Sequence, residues 1–243
     1  MDTRLIVANV AEVETECLVA VVVDHGDKQK PDLRLAHQEP ALEKAAAEVI
    51  ASSEITGKPM ETVLIHHPEG LKARRLLIVG GGKAKSFGPA DLRKAAGAAI
   101  RFLKTRMIKS CAFALPALAS GPEDAPRAIA EGALVADFDP DTYRTDRKDL
   151  KMKEIALVAS PGSDPVRLQA ALDQGRIVGE SQNFTRELVN EPSNRLTPTM
   201  LAERTRQMCE SVGLKCEIMG PAGVGRPSLG HGQIPGYPCR GPI

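Results

Sequence analysis

Tryptophan is absent from this 243-residue sequence, and aromatic residues of all kinds make up only 3% of it. That scarcity excludes a face of stacked rings for single-stranded nucleic acid. An excess of charge of one sign is lacking too. The 32 Lys and Arg nearly balance the 31 Asp and Glu, for a net charge of +1, which supplies no field to draw in nucleic acid or an anionic membrane. No apolar run approaches the roughly 20 residues that a membrane-spanning helix needs. The opening MDTRLIVANVAEVETE has neither the basic start nor the small-residue cleavage site of a secretory signal. The five cysteines (Cys17, Cys111, Cys209, Cys216 and Cys239) are odd in number and scattered, with no C-x-x-C pair. They read as reduced thiols of a cytoplasmic protein rather than as a disulfide framework or a zinc site.

What is present is ordinary for a globular chain, with 42% hydrophobic and 26% charged residues. The length suits one large domain or two small ones. Cys17–Val23 is an unbroken, β-branched apolar run, which predicts a strand buried on both faces. Thr62–His66, Arg75–Val79, Ser110–Leu115 and Ile155–Ala159 read as further strands, with Gly80, Gly81 and Gly82 ending the second of these four. Helical spacing appears over Pro40–Ser52, and again from Pro89, where Leu92, Ala95, Ala96, Ala99, Ile100 and Leu103 share a face. A further helix is expected over Ser120–Ala136. A long one is expected from Asp164 to about Leu188, with Leu168, Ala171, Leu172, Gly175 and Val178 on its buried side. Glu191-Pro192 ends it. Thr197 is then a good N-cap before Pro198, and Leu201, Thr205, Met208 and Val212 line one side of the helix that follows. Gly213 fits the left-handed position that closes it. Leu214, Cys216 and Ile218 alternate as in a strand. There is no internal repeat. The polar stretch Asp137–Lys153 is the candidate domain boundary.

Two local features invite a functional reading. Gly80-Gly81-Gly82-Lys83 follows a strand and precedes a helix, as a phosphate-cradling loop does. It matches neither G-x-x-x-x-G-K-[ST] nor G-x-G-x-x-G, and a plain turn is the simpler reading. His66-His67 could hint at a metal, but neighbours on a strand point to opposite faces, and no H-E-x-x-H spacing accompanies them. No G-x-S-x-G elbow is present. On spacing alone no residue qualifies as catalytic, metal-ligating or cofactor-binding.

The segment Glu187–Ala202, ELVNEPSNRLTPTMLA, changes the picture. Arg186, Leu188, Val189, Asn190, Pro192, Asn194, Thr197 and Pro198 fall in register with R-x-L-V-N-x-P-x-N-x-x-T-P. This resembles the start of the catalytic domain of the leucyl (cytosol) aminopeptidase family. Upstream, Leu76–Gly80, Leu92–Gly97 and Ala112–Pro116 resemble that family's N-terminal domain in the expected order, so the likeness covers about residues 1–218. It implies an α/β fold: a macro-domain-like mixed sheet with helices on both faces, then a long connecting helix and an incomplete second domain. The implied divisions are 1–150 for the N-terminal domain, 151–186 for a strand and the connecting helix, and 187–218 for the start of the catalytic domain.

In that family, two divalent ions, manganese or zinc, activate a water that releases N-terminal residues, often leucine, from peptides. The resemblance also implies a cytoplasmic homo-hexamer. The family's metal ligands and catalytic Lys and Arg lie in motifs resembling V-G-K-G and N-T-D-A-E-G-R-L, and neither motif occurs in this sequence. No catalytic, metal or cofactor residue is therefore carried over, and the 243-residue chain is expected to bind no metal and to be inactive alone. The alternative is a stand-alone macro-like module that binds a nucleotide, ADP-ribose or a protein. A third possibility is a fragment that caps full-length subunits, with sticky apolar faces over 164–218.

The tail Met219–Ile243 differs from everything before it. Twelve of its 25 residues are Gly or Pro, and none is acidic. Codons for His231–Tyr237 can be read one base on as Met-Gly-Lys-Phe-Leu-Gly, close to the L-G-M-G-x-x-L-G-I expected there. The expectation is a disordered, out-of-frame tail following a frameshift near Met219.

Overall fold

The strand β2, Leu18–Asp24, is buried at all seven positions, as an unbroken apolar run requires when both faces are covered. The computed structural model describes residues 1–27, 30–140 and 150–219. Two units emerge, Met1–Asn190 and Glu191–Ile243.

The first unit is built on a seven-stranded mixed sheet of order β1-β7-β6-β2-β5-β4, with β3 beside β2. Its strands are β1 (Asp2–Val7), β2, β3 (Leu33–Leu35), β4 (Thr62–His66), β5 (Arg75–Lys83), β6 (Ser110–Ala114) and β7 (Glu154–Ala159). The pairs β1–β7, β7–β6, β6–β2 and β2–β5 are parallel, whereas β4 and β3 run antiparallel to their partners. The helices are α1 (Pro40–Ala51), α2 (Pro89–Thr105), α3 (Asp124–Asp137) and α4 (Pro165–Asn190). Cys17 and alternate β2 residues feed two cores. Cys17, Val19, Val21 and Val23 meet α2, α3 and Leu172 of α4. Leu18, Ala20 and Val22 meet Leu42, Ala46 and Val49 of α1. Helices on both faces of a mixed sheet are what the resemblance implied.

The glycine run departs from expectation. Gly80, Gly81 and Gly82 do not end β5; they lie inside it. Gly80 pairs with Val22 on one side. On the other it exchanges hydrogen bonds of 2.8 Å with Glu61 O and Met60 N. A Cβ on Gly80 would lie 1.9 Å from Lys58 O. Gly80 therefore permits close backbone approach within a sheet, Gly81 and Gly82 lie against the side chains of Phe87 and Pro59, and all three are strand residues rather than a loop before an α-helix, so the phosphate-loop reading falls with the turn reading.

Three further differences have simple causes. Helix α3 begins at Asp124 rather than Ser120, because Gly121 sits at φ +135° in a turn before Pro122. On α4, Val178 is 41% exposed, and Gly179 takes the buried place beside Gly175. A Cβ at Gly175 would fall 2.4 Å from Arg127 O, and one at Gly179 would fall 2.8 Å from Leu134 Cβ. Bare glycine backbone lets α4 lie closer to α3 than a side chain would. Short β3, which pairs with the end of β2, carries no sequence signal of its own.

In the second unit, α5 (Pro198–Ser211) is capped by the Thr197 hydroxyl, which accepts from Met200 N. Gly213 adopts φ +74° behind it, as the sequence predicts. Leu214–Ile218 form no strand; among the described residues no neighbouring strand pairs with their backbone. None of the residues of α5 is buried, and Leu201, Val212 and Leu214 are exposed. Residues 141–149 of the expected boundary, Cys239 and the tail from Gly220 lie outside the described residues.

Candidate functional site

Open parallel sheets bind ligands in the crevice outside the carboxyl ends of their strands. Such a crevice, of about 550 Å³, lies beyond the ends of β2, β6 and β7. Its walls include Phe87, Leu115 and Leu168, and its polar groups include His37, Gln38 and Ser160. His37 is buried, with Nδ1 2.8 Å from Leu115 O. A carbonyl only accepts, so Nδ1 carries a proton and donates to it. The N-terminus of α4 is taken by its own chain, because Asp164 Oδ1 accepts from Val166 N and Arg167 N at 3.0 and 3.2 Å. The crevice can hold a small, partly apolar molecule. It pairs no nucleophile with a base.

Beside it, Asp24 closes the loop that leaves β2. Its Oδ1 accepts from Gly26 N at 2.8 Å and Asp32 N at 3.0 Å. Its Oδ2 accepts from Lys83 Nζ at 2.5 Å. The Lys83 hydrogen bond first, and the two backbone bonds next, hold its carboxyl down at about 2. A depressed carboxylate adds stability above its unfolded value near 4 and loses it as the pH falls through about 2. Acid unfolding followed between pH 4 and 2 should therefore be steeper in the parent than in Asp24→Asn. Equal slopes would remove Asp24 from the acid response. One oxygen of this carboxylate is occupied by the loop it organises and the other by Lys83 of β5, so its role is structural.

The thiols inside the sheet are chemically quiet. Burial, more than any charge nearby, pushes Cys17 up to about 12. Burial likewise raises Cys111 well above the ordinary thiol range, and thiols react as thiolates. His66 is exposed at the end of β4, and His67 turns away at φ +51°, so this pair serves a strand end. Among the described residues, no three His, Cys, Asp or Glu side chains converge to hold a metal. The described residues do not fit the pair of divalent ions that the resemblance implies.

The motif residues that carry the resemblance do identifiable work. Arg186 lies 4.0 Å over the ring of Phe138 and donates to Val135 O at 2.7 Å. Asn183 donates to Leu134 O at 2.9 Å, and Asn190 to Pro140 O at 2.5 Å. Leu134 O and Val135 O are among the carbonyls that α3 leaves open at its C-terminal end, so Asn183 and Arg186 fasten α4 to α3, while Asn190 holds the residues just beyond α3. Pro192 starts a turn in which its carbonyl accepts from Arg195 N and Leu196 N at 2.8 and 3.0 Å. These are structural roles. The crevice and the Asp24–Lys83 pair had no motif to announce them.

Residues 20–147 match the cytosol aminopeptidase family, N-terminal domain. A probable cytosol aminopeptidase of Koribacter versatilis is 44% identical over 90% of this chain and 46% of its own length. One from Acidobacterium capsulatum is 41% identical over 90% of this chain and 45% of its own. The chain thus spans under half the length of these relatives. Among solved structures, a tomato leucine aminopeptidase mutant superposes with a TM-score of 0.68 at 20% identity, over 88% of this chain and 43% of that one, a likeness of fold alone. The bottromycin maturation enzyme BotP in complex with Mn gives 0.61 at 25% identity, over 86% and 39%. On the family match and the two relatives, this chain belongs to the cytosol aminopeptidase family, and residues 20–147 are its N-terminal domain.

Proposed function

We propose that this chain is the N-terminal part of a metal-dependent aminopeptidase and is not itself the catalytic part. The observation that carries this reading is the identity of 44% over 90% of the chain, which takes in the motif from Arg186 to Pro198. Residues 1–150 would be the N-terminal domain, 151–186 the strand and helix that lead away from it, and 187–218 the start of a catalytic domain. The whole protein would release leucine-type residues from peptide N-termini with two manganese or zinc ions, as a cytoplasmic homo-hexamer. No helix among the described residues is long and apolar enough to cross a membrane. The chemistry would come from residues other than these. The described residues offer no metal donor set, and positions 220–243 contain no Asp or Glu at all.

The assay is direct. The purified 243-residue polypeptide with added manganese should leave leucine p-nitroanilide unhydrolysed. Turnover that copurifies with the chain and is lost on chelation would overturn the reading.

The crevice at the carboxyl edge favours a second reading, a module that binds a nucleotide such as ADP-ribose. A ligand bound only by the native state raises the melting temperature. No shift with millimolar ADP-ribose eliminates this second reading.

A further inference from the structure

We propose that β4 is a self-pairing edge, through which two copies of this chain join their sheets antiparallel about a two-fold axis at Leu64. β4 stands at one end of the sheet order, and among the described residues no strand lies beyond it. At the other end is β1, where Asp2 and Arg4 break the apolar pattern. β4 reads Thr62-Val63-Leu64-Ile65-His66. It contains no Lys, Arg, Asp or Glu and no proline, and its pairing with β5 runs without a bulge. Those are the features that usually blunt a sheet edge. Thr62 to Ile65 are only half-buried, and His66 is exposed. An uncharged edge of ordinary strand length is a ready template for another strand.

The backbone decides which strand fits. His67 N donates to Arg74 O at 3.0 Å and Gly80 N to Glu61 O at 2.8 Å, in the register that sets Leu64 opposite Leu77. The bonds to β5 therefore belong to odd-numbered residues, and antiparallel alternation turns the N–H and C=O of Thr62, Leu64 and His66 outward. A two-fold axis at Leu64 sets Leu64 opposite Leu64, and Thr62 opposite His66 of the second copy, closing about six hydrogen bonds. Sliding the copies either way brings Met60 or Pro68 into the ladder, and neither can donate. Met60 N is held by Gly80 O at 2.8 Å, and proline has no N–H. The side chains agree with this register. Val63 falls opposite Ile65, both packed toward the core that includes Leu42 of α1, a β-branched pair of the kind that stabilises sheets. Just outside the strand Glu61 falls opposite His67, so no like charges meet. The edge is thus its own complement, which selects a second copy as the occupant. The pairing uses only residues 60–68 and stands apart from the aminopeptidase reading.

Cross-linking reads the register. Cys209, Cys216 and Cys239 are first changed to Ser, which leaves only the buried Cys17 and Cys111. Thr62→Cys and His66→Cys are then made in separate 243-residue chains and mildly oxidised, singly and mixed. The mixture should give a covalent dimer, because directly opposed Cα atoms would lie about 5.5 Å apart, within disulfide reach. Each variant alone should not, because like positions would sit about 13 Å apart along the strands. Thr62→Pro gives an independent reading. It removes an outward N–H and keeps the bonds to β5, and proline is tolerated at the first residue of an edge strand. Sedimentation should show the parent in a concentration-dependent monomer–dimer equilibrium, which Thr62→Pro weakens at least about tenfold with an unchanged circular dichroism spectrum. If Thr62→Pro fails to fold, the cysteine mixture decides. A parent that stays monomeric, a mixture that forms no covalent dimer, or either cysteine variant linking to itself would overturn the proposal. So would a dimer that a folded Thr62→Pro leaves intact.

Discussion

Gly80→Ala should unfold in urea at a midpoint at least about 1 M below the parent, a loss of about 3 kcal/mol. The added Cβ would stand 1.9 Å from Lys58 O and 3.1 Å from Gly57 C. Both are backbone atoms, so no side chain can swing aside. The strand cannot retreat, because Gly80 is paired on one side with Val22 and on the other with Glu61 and Met60. Moving it breaks hydrogen bonds in the middle of the sheet. A domain of this size has only about 5–15 kcal/mol in total, so the variant should also express poorly. Gly88→Ala is the control. It has nothing within 4 Å of its added Cβ and should stay within about 0.5 kcal/mol of the parent. Equal stabilities for the two variants would refute the argument that Gly80 is required by backbone contact.

Lys104→Met should cost about 3 kcal/mol, because it strips the partner from a nearly buried carboxylate. Lys104 Nζ is 3.2 Å from Asp137 Oδ1, with side chains only 13% and 11% exposed. The same ammonium donates to Asp137 O at 2.8 Å, and Asp137 Oδ1 also accepts from Met152 N at 2.9 Å. One aspartate thereby ties the end of α3 to α2 and to the residues that lead into β7. The cost should depend on the charge left behind. In an Asp137→Asn background the amide is neutral, and Lys104→Met should then cost under about 1 kcal/mol. Chemical denaturation of the four proteins of this cycle measures the difference. Identical costs in both backgrounds would show that packing of the lysine stem, rather than the charge pair, does the work.

The sequence was most legible where one physical requirement dominated. Cys17–Val23 had to be covered on both faces, and β2 is buried throughout. Thr197-Pro198 could hardly be anything but a helix start. The heptad-like spacing from Leu92 to Leu103 marked the buried side of α2. Legibility failed where two requirements compete. Glycine after an apolar run usually marks a turn, yet Gly80 serves close approach inside a strand. On α4, Val178 had the right spacing and hydrophobicity, but α3 lies so near that Gly179 occupies the contact. Leu214, Cys216 and Ile218 alternate like a strand, and alternation without a pairing neighbour makes none. The crevice was invisible for another reason. It is assembled from segments after β2, β6 and β7 that lie far apart in sequence, and no short motif encodes their meeting. The residues with the clearest family signature, Arg186 and Asn190, proved to fasten α4 to α3 and to the residues just beyond it.

The sheet order also sets a timetable for the chain as it is made. β1 occupies an edge, and its partner is β7, with Asp2 opposite Glu154 and Val7 opposite Ala159. β1 is therefore made long before the strand it pairs with. At about 5–20 residues per second, it waits on the order of ten to thirty seconds before its partner exists. Its alternation of exposed and half-buried residues, with Asp2 and Arg4 among them, suits that wait. A charged, interrupted strand offers stray chains a poor template for pairing, so β1 can stay single until the sheet is ready to receive it.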